Sequence, residues 1–189
     1  MKFNGRLIIL TLVLVALATV CKFYFGANLE WSGFSPVIAS ALFSGFIVKK
    51  KDRSFLLPLL AVFLSDCIIH LLYLNNEFDY PGFYEGQWRN YLILFSATLI
   101  GWMLNGKRYE SLLLGAIIAP TVFFLVSNFN VWLSVGEVAY SRDFSGLMSS
   151  YIAGLPFYKN ALIATLLFLP VVLFLYNIIA RKRTALTIA

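Results

Sequence analysis

Apolar residues in this chain come in long blocks, with polar residues confined to the short stretches between them. The blocks cover residues 7–25, 35–48, 55–74, 91–104, 111–126 and 162–180. Runs of this length and uniformity predict helices that cross a membrane, six in all. The block at 35–48 is too short for that: about 21 Å of helix against a hydrocarbon core of about 30 Å. Ser35 and Pro36 read as an N-cap and a proline at the first helical position, with residues 31–34 entering the membrane as an extended segment. Irregular backbone at that depth needs protein or a water-filled cavity beside it. Short or interrupted spans of this kind point to binding sites in transport proteins, although a helix ending beneath an interfacial loop fits the same pattern.

Composition agrees with the pattern. Of the 189 residues 60% are hydrophobic and 13% charged, and the mean hydropathy is +0.82. A water-facing surface could not be built from that balance, so the expectation is one integral membrane domain over residues 1–189, all-α and polytopic. The net charge of +6 comes from clusters beside the apolar blocks: Lys2 and Arg6, KKKDR at 49–53, NGKRYE at 105–110 and RKR at 181–183. Nucleic acid is not implied, because no basic stripe forms on a soluble face. The segments at 75–88 and 136–144 lean acidic or aromatic. The positive-inside rule then puts both termini and the two basic loops in the cytoplasm. Lys2, Arg6 and the Ala16-Leu17-Ala18 stretch also fit a cleavable leader, but the apolar run continues to Phe25 and an uncleaved helix is the expectation.

Chemistry concentrates in LLAVFLSDCIIHLLYL, residues 59–74, which carries an acid and the one histidine of the chain. An ionised group in mid-bilayer costs about 2.5–3.5 kcal/mol even on a lenient scale, so Asp66 requires a partner or water. In a helix starting near Phe55, Asp66 lies about 16 Å into the membrane and His70 about 6 Å further on. Asp66, His70 and Tyr73 fall along one face, a polar stripe expected to line a cavity open to the outside. The stripe suits a polar or cationic ligand; a hydrogen-bonded pair that fixes helix packing is the competing account.

A second polar group is expected at the same outer level. SNFNVW at 127–132 supplies Asn128, Asn130 and Trp132, and LPFYKN at 155–160 supplies Tyr158 and Asn160. Carboxamides can orient a neutral polar ring and aromatic neighbours can stack on it; an interfacial aromatic belt with capping asparagines would have the same composition. The segment FDYPGFYEGQW at 78–88, ending in Trp88, reads as a lid over the mouth or as a loop resting on headgroups. Residues 143–157, broken by Gly146, Gly154 and Pro156, read as an interfacial helix that does not span. Small-xxx-small pairs, among them Ala41 with Gly45 and Ala97 with Gly101, predict close helix approach. A metal site is not expected, since Asp66 and His70 lack a third ligand. Nor is an enzyme, because Ser65, Asp66 and His70 share one helix and cannot converge as a triad. No cofactor is implied, and the absence of a GxxxxGK[ST] loop assigns any ATP use to another chain.

FSPVIASALFSGF, LPLLAVFLSDCIIH, SNFNVW and GLPFYKN together resemble an uncharacterised bacterial membrane-protein family that is itself similar to the substrate-binding S components of energy-coupling factor (ECF) vitamin transporters. The resemblance covers residues 34–168. It implies a six-helix bundle with an outward-facing pocket for a small vitamin- or metabolite-like molecule. It also implies partners: a transmembrane coupling subunit and cytoplasmic ATPases. Family positions carried over are Pro36, Ser65, Asp66, His70, Asn128, Trp132, Pro156 and Asn160. The Ala-x-x-x-Ala pair that S components use for coupling is not found in residues 7–25. The alternative is a structural or scaffold membrane protein, like the cell-shape factor MreD, without a small ligand.

Overall fold

A computed structural model of the chain describes residues 5–28, 30–48, 54–104, 109–134 and 139–180. Among them are six α-helices and no strand. These are α1 (Gly5–Cys21), α2 (Val37–Ile47), α3 (Leu56–Leu74), α4 (Gln87–Met103), α5 (Tyr109–Ser134) and α6 (Phe144–Ala180), with α1 prolonged by a π-helical turn, Lys22–Gly26. The protein is a helical membrane protein, as the block pattern requires: a helix satisfies its own backbone where no water is available. The basic clusters at 49–53, 105–108 and 181–183, Lys2, and residues 136–138 of the acidic segment lie outside the described residues.

The helices alternate in direction. The ends of α3 at Leu74 and of α5 at Ser134 lie toward one end, here called upper, Ser54 and Leu104 lie at the other, and residues 30–33 pack lower down, beside Phe157 and Asn160 of α6. Four segments are long and apolar enough to cross a membrane: Ile8–Gly26, Leu56–Leu74, Glu110–Ser134 and Phe144–Ile179. Helix α2 has 11 residues and α4 has 17, about 16 Å and 25 Å, so neither reaches across unaided. They pack on each other instead. Every residue of α2 from Ile38 to Phe46 is buried, and the core collects around it from Leu10 and Leu14 of α1, Ala61 of α3, Ala97 of α4, Ala116 and Ala119 of α5 and Val172 of α6. A helix buried on all sides has to be apolar nearly all round, and α2 is, its two buried serines, Ser40 and Ser44, each donating to a backbone carbonyl.

Glycine permits the crossing of the two short helices. A Cβ on Gly45 would lie 2.0 Å from the Thr98 carbonyl oxygen, and one on Gly101 would lie 2.2 Å from that of Leu42. The small-residue pairs of the sequence therefore mark this contact. At the lower end the Ser44 hydroxyl donates to the Ser54 carbonyl at 2.6 Å, and the Trp102 indole donates to the Ser54 hydroxyl at 2.7 Å. This ties the α2–α3 corner to α4.

Three expectations are corrected. Residues 144–157 do not form a separate interfacial helix; they are the first part of α6, 37 residues long with Pro156 and Pro170 inside it. Gly154 breaks nothing, because its missing side chain leaves room for Asn128: a Cβ there would lie 2.3 Å from Asn128 Oδ1. The helix starts at Phe144 because Asp143 caps it, accepting from the Gly146 N–H at 2.8 Å and the Ser141 hydroxyl at 2.7 Å; these bonds hold its carboxyl below the ordinary carboxylate range. Second, residues 31–34 are not extended. They turn, with the N–H groups of Trp31 and Ser32 both donating to the Asn28 carbonyl and Phe34 N–H to that of Trp31. Third, Ser35 is not the cap of α2: Pro36 stands there, and the buried Ser35 hydroxyl has no partner among the described residues.

Gly45→Ala and Gly101→Ala each push a methyl group into backbone that no side-chain rotation can clear, so each is expected to destabilise the bundle by at least about 1–3 kcal/mol. Gly5, beside open space, is the control: Gly5→Ala leaves thermal unfolding in detergent unchanged or slightly raised.

Candidate functional site

Asp66 is buried in α3, and its partner comes from α1. Lys22, the first residue of the π-helical turn, directs its ammonium at Asp66 Oδ1, at the Ser65 hydroxyl (2.7 Å) and at the Val62 carbonyl (3.4 Å). All three ammonium donors are thereby used on α3. The other carboxylate oxygen, Oδ2, accepts from Gln87 Nε2 at 2.8 Å and from the Tyr91 hydroxyl at 2.5 Å. Gln87 and Tyr91 are four apart at the start of α4, and so share a face. The compensation that a membrane-buried acid demands is thus supplied inside the protein by a cation and two neutral donors.

Gln87 has a second task. Its Oε1 accepts from Tyr84 N–H at 3.0 Å, and its Nε2 also reaches the Gly82 carbonyl at 3.2 Å. The loop 75–86 therefore does not stand above the bundle. It runs back down α3 until Gly82 rests on the helix, where a Cβ would lie 2.1 Å from the Asp66 carbonyl oxygen and 2.6 Å from His70 N. Asp66 is eight residues below Leu74, so the loop descends about 12 Å.

Beside the ion pair is a cavity of about 390 Å³, bordered by residues of all six helices and of the segments before α2 and α4. That size is in the range of small-molecule sites. Its walls carry the Phe34, Phe123, Phe124 and Phe157 rings, with Ser35, Tyr84, Asn90, Asn128 and Tyr158 as neutral polar groups. Lys22 and Asp66 are the charged side chains on it among the described residues. No cluster of three or more His, Cys, Asp or Glu occurs among those residues.

Residues 1–186 match the model of DUF6580, a family of unknown function. The chain belongs to that family. No curated protein and no solved structure matches it.

In this DUF6580 member three of the expected site residues, Asp66, Asn128 and Tyr158, border the cavity. Asn128 sits beside Gly154 with its Nδ2 donating to the Phe124 carbonyl at 2.9 Å; the Tyr158 hydroxyl meets Thr121 Oγ1 at 2.9 Å. The polar stripe divides, because the returning loop covers its upper part. His70 lies under Gly82 and against the Phe83 ring, its buried Nδ1 without a partner among the described residues, and Tyr73 stacks on it from an exposed position. Trp88 is exposed, with the Arg89 guanidinium 5.7 Å from its ring centre.

Trp132 is fastened to the α5–α6 connection through its indole, which donates to the Ser141 carbonyl at 2.9 Å, and Arg142 donates to the carbonyls of Trp132 and Leu133. Asn130, on the same turn, does not border the cavity. Asn160 is buried and donates to the carbonyls of Glu30 (2.7 Å) and Ser32 (2.9 Å). These asparagines do not share one level. Ser150 and Gly154 flank Asn128, so Asn160 lies about 12 Å further down α6.

Sequence reasoning missed Lys22, Gln87 and Tyr91. The signal for Lys22 was present: a lysine inside the first apolar block is the opposite charge that Asp66 requires.

Lys22→Met leaves the Asp66 carboxylate buried and unpaired, an expected loss of about 3–5 kcal/mol, whereas Lys22→Met combined with Asp66→Leu recovers most of it. Thermal unfolding of Lys22→Met, Asp66→Leu and the double variant in one detergent checks the coupling; a double-variant loss equal to the sum of the two single losses would mean that the two side chains act independently.

Proposed function

We propose that this DUF6580 member binds a small vitamin- or metabolite-like molecule in the central cavity and takes part in its uptake, in the manner of ECF transporter S components. The observation that carries this reading is the convergence of six helices on a mostly apolar, aromatic-walled cavity with a few polar groups at the depth of the buried ion pair. A packing core has no need of such a space, since each unfilled volume in a core lowers stability. Two irregular segments, 30–36 and 75–86, descend to border it, and backbone of this kind within a membrane is sustained by protein or by a water-filled cavity. Motif resemblance adds the rest of the proposal. The upper end would face outward across a bacterial cytoplasmic membrane, and a separate coupling subunit with cytoplasmic ATPases would supply the drive.

Binding is tested by thermal unfolding of the purified protein across a vitamin and metabolite panel. A ligand present at 100 times its Kd adds about 2.7 kcal/mol to the unfolding free energy. Asn128→Ala and Tyr158→Phe, which alter the cavity wall without touching the ion pair, are expected to weaken the response about tenfold or more in Kd. Unchanged melting across the whole panel would sink the uptake reading.

A further inference from the structure

Charge recognition in the cavity is already used up. The two charged side chains on its wall face each other, and their hydrogen-bonding positions are occupied: the Lys22 ammonium by Asp66, Ser65 and Val62, and Asp66 Oδ2 by Gln87 and Tyr91. Their charges sum to zero, and they would still do so if the proton moved from ammonium to carboxylate. A guest that brought a net charge would lose its hydration and find no counter-charge. What the wall offers instead is neutral. Ser35 borders the cavity and its enclosed hydroxyl is without a partner among the described residues, and Asn128 borders it together with Phe124 and Phe157.

We propose that the cavity selects a molecule of no net charge, with a flat apolar body for the rings and a neutral polar edge for Ser35 and Asn128, and that the Lys22–Asp66 pair sets this preference. The proposal rests on the binding reading above and adds the class of guest. The pair acts here as an electrostatic filter. A net anion is excluded because the Lys22 ammonium is already neutralised, and a net cation because the Asp66 carboxylate is.

The filter is tested with a bacterial small-molecule extract separated at pH 7 by ion exchange into anionic, cationic and unretained fractions. Each fraction is added to the full-length protein in detergent and the melting temperature is read. The unretained fraction is expected to raise Tm by about 2 °C or more, with no rise from either charged fraction. Asp66→Asn leaves the Lys22 ammonium without its counter-charge, and in that variant the anionic fraction should become stabilising.

A rise from a charged fraction with the wild-type protein overturns the proposed selectivity and leaves the binding reading standing. No rise from any fraction removes both. If Asp66→Asn does not fold, the wild-type arm decides by itself. If it folds and stays indifferent to the anionic fraction, the pair does not set the preference and the proposal falls.

Discussion

A carboxylate inside an apolar bundle must be neutralised where it stands, and the upper half of this molecule is arranged around that requirement. Asp66 cannot reach water from the middle of α3 without a large desolvation cost, so the chain brings a cation to it. Lys22 can do this because α1 goes over into a π-helical turn at that residue. Such turns place a side chain where the regular α-helical register would not. Gln87 and Tyr91 then complete the shell from α4. Helices α1, α3 and α4 and the loop before α4 are thereby fixed to one another at one level.

The same logic governs the irregular backbone. Two segments leave helical geometry within the body of the bundle, and in each a single buried carboxamide takes up backbone groups: Asn160 donates to the carbonyls of Glu30 and Ser32, and Gln87 donates to the Gly82 carbonyl and accepts from the Tyr84 N–H of the descending loop. A carboxamide suits this work because it offers donor and acceptor without charge. The glycines complete the arrangement by letting backbone lie on backbone, Gly82 on α3 and Gly45 against α4. Helices α2 and α4 can consequently be short, because the segments that lead into them pack on protein.

The helices themselves were legible from the apolar blocks, whose limits agree with α1 to α5 to within a few residues at most ends. The last block was misjudged. Proline and glycine normally stop a helix in water, but in a packed bundle a neighbouring helix accepts the irregularity, and Gly154 is an accommodation for Asn128. Asp66 was legible as a residue in need of compensation because the cost of its burial can be estimated without coordinates. Its partners were not. Lys22 sits near the end of its block, where a lysine ordinarily extends toward the interface, and nothing local links residue 22 to residue 66. The placement of His70 was lost for a related reason: helical spacing identifies a common face, but not a loop that returns to cover half of it.

The ion pair should not be read mainly as a source of stability. Replacing a buried pair with apolar side chains of similar volume is often neutral or stabilising, because desolvation offsets the attraction. A bundle needing only cohesion would do as well with leucines at positions 22 and 66. Apolar contacts, however, tolerate sliding and rotation, whereas an ammonium with three acceptors and a carboxylate with three donors can be satisfied in one arrangement alone. The pair therefore holds α1, α3 and α4 apart in a defined register, and a space can persist among helices that would otherwise close on it. On this argument the cavity and the ion pair are one feature: the charges specify the arrangement, and the proposed recognition of a guest falls to the neutral groups around the cavity.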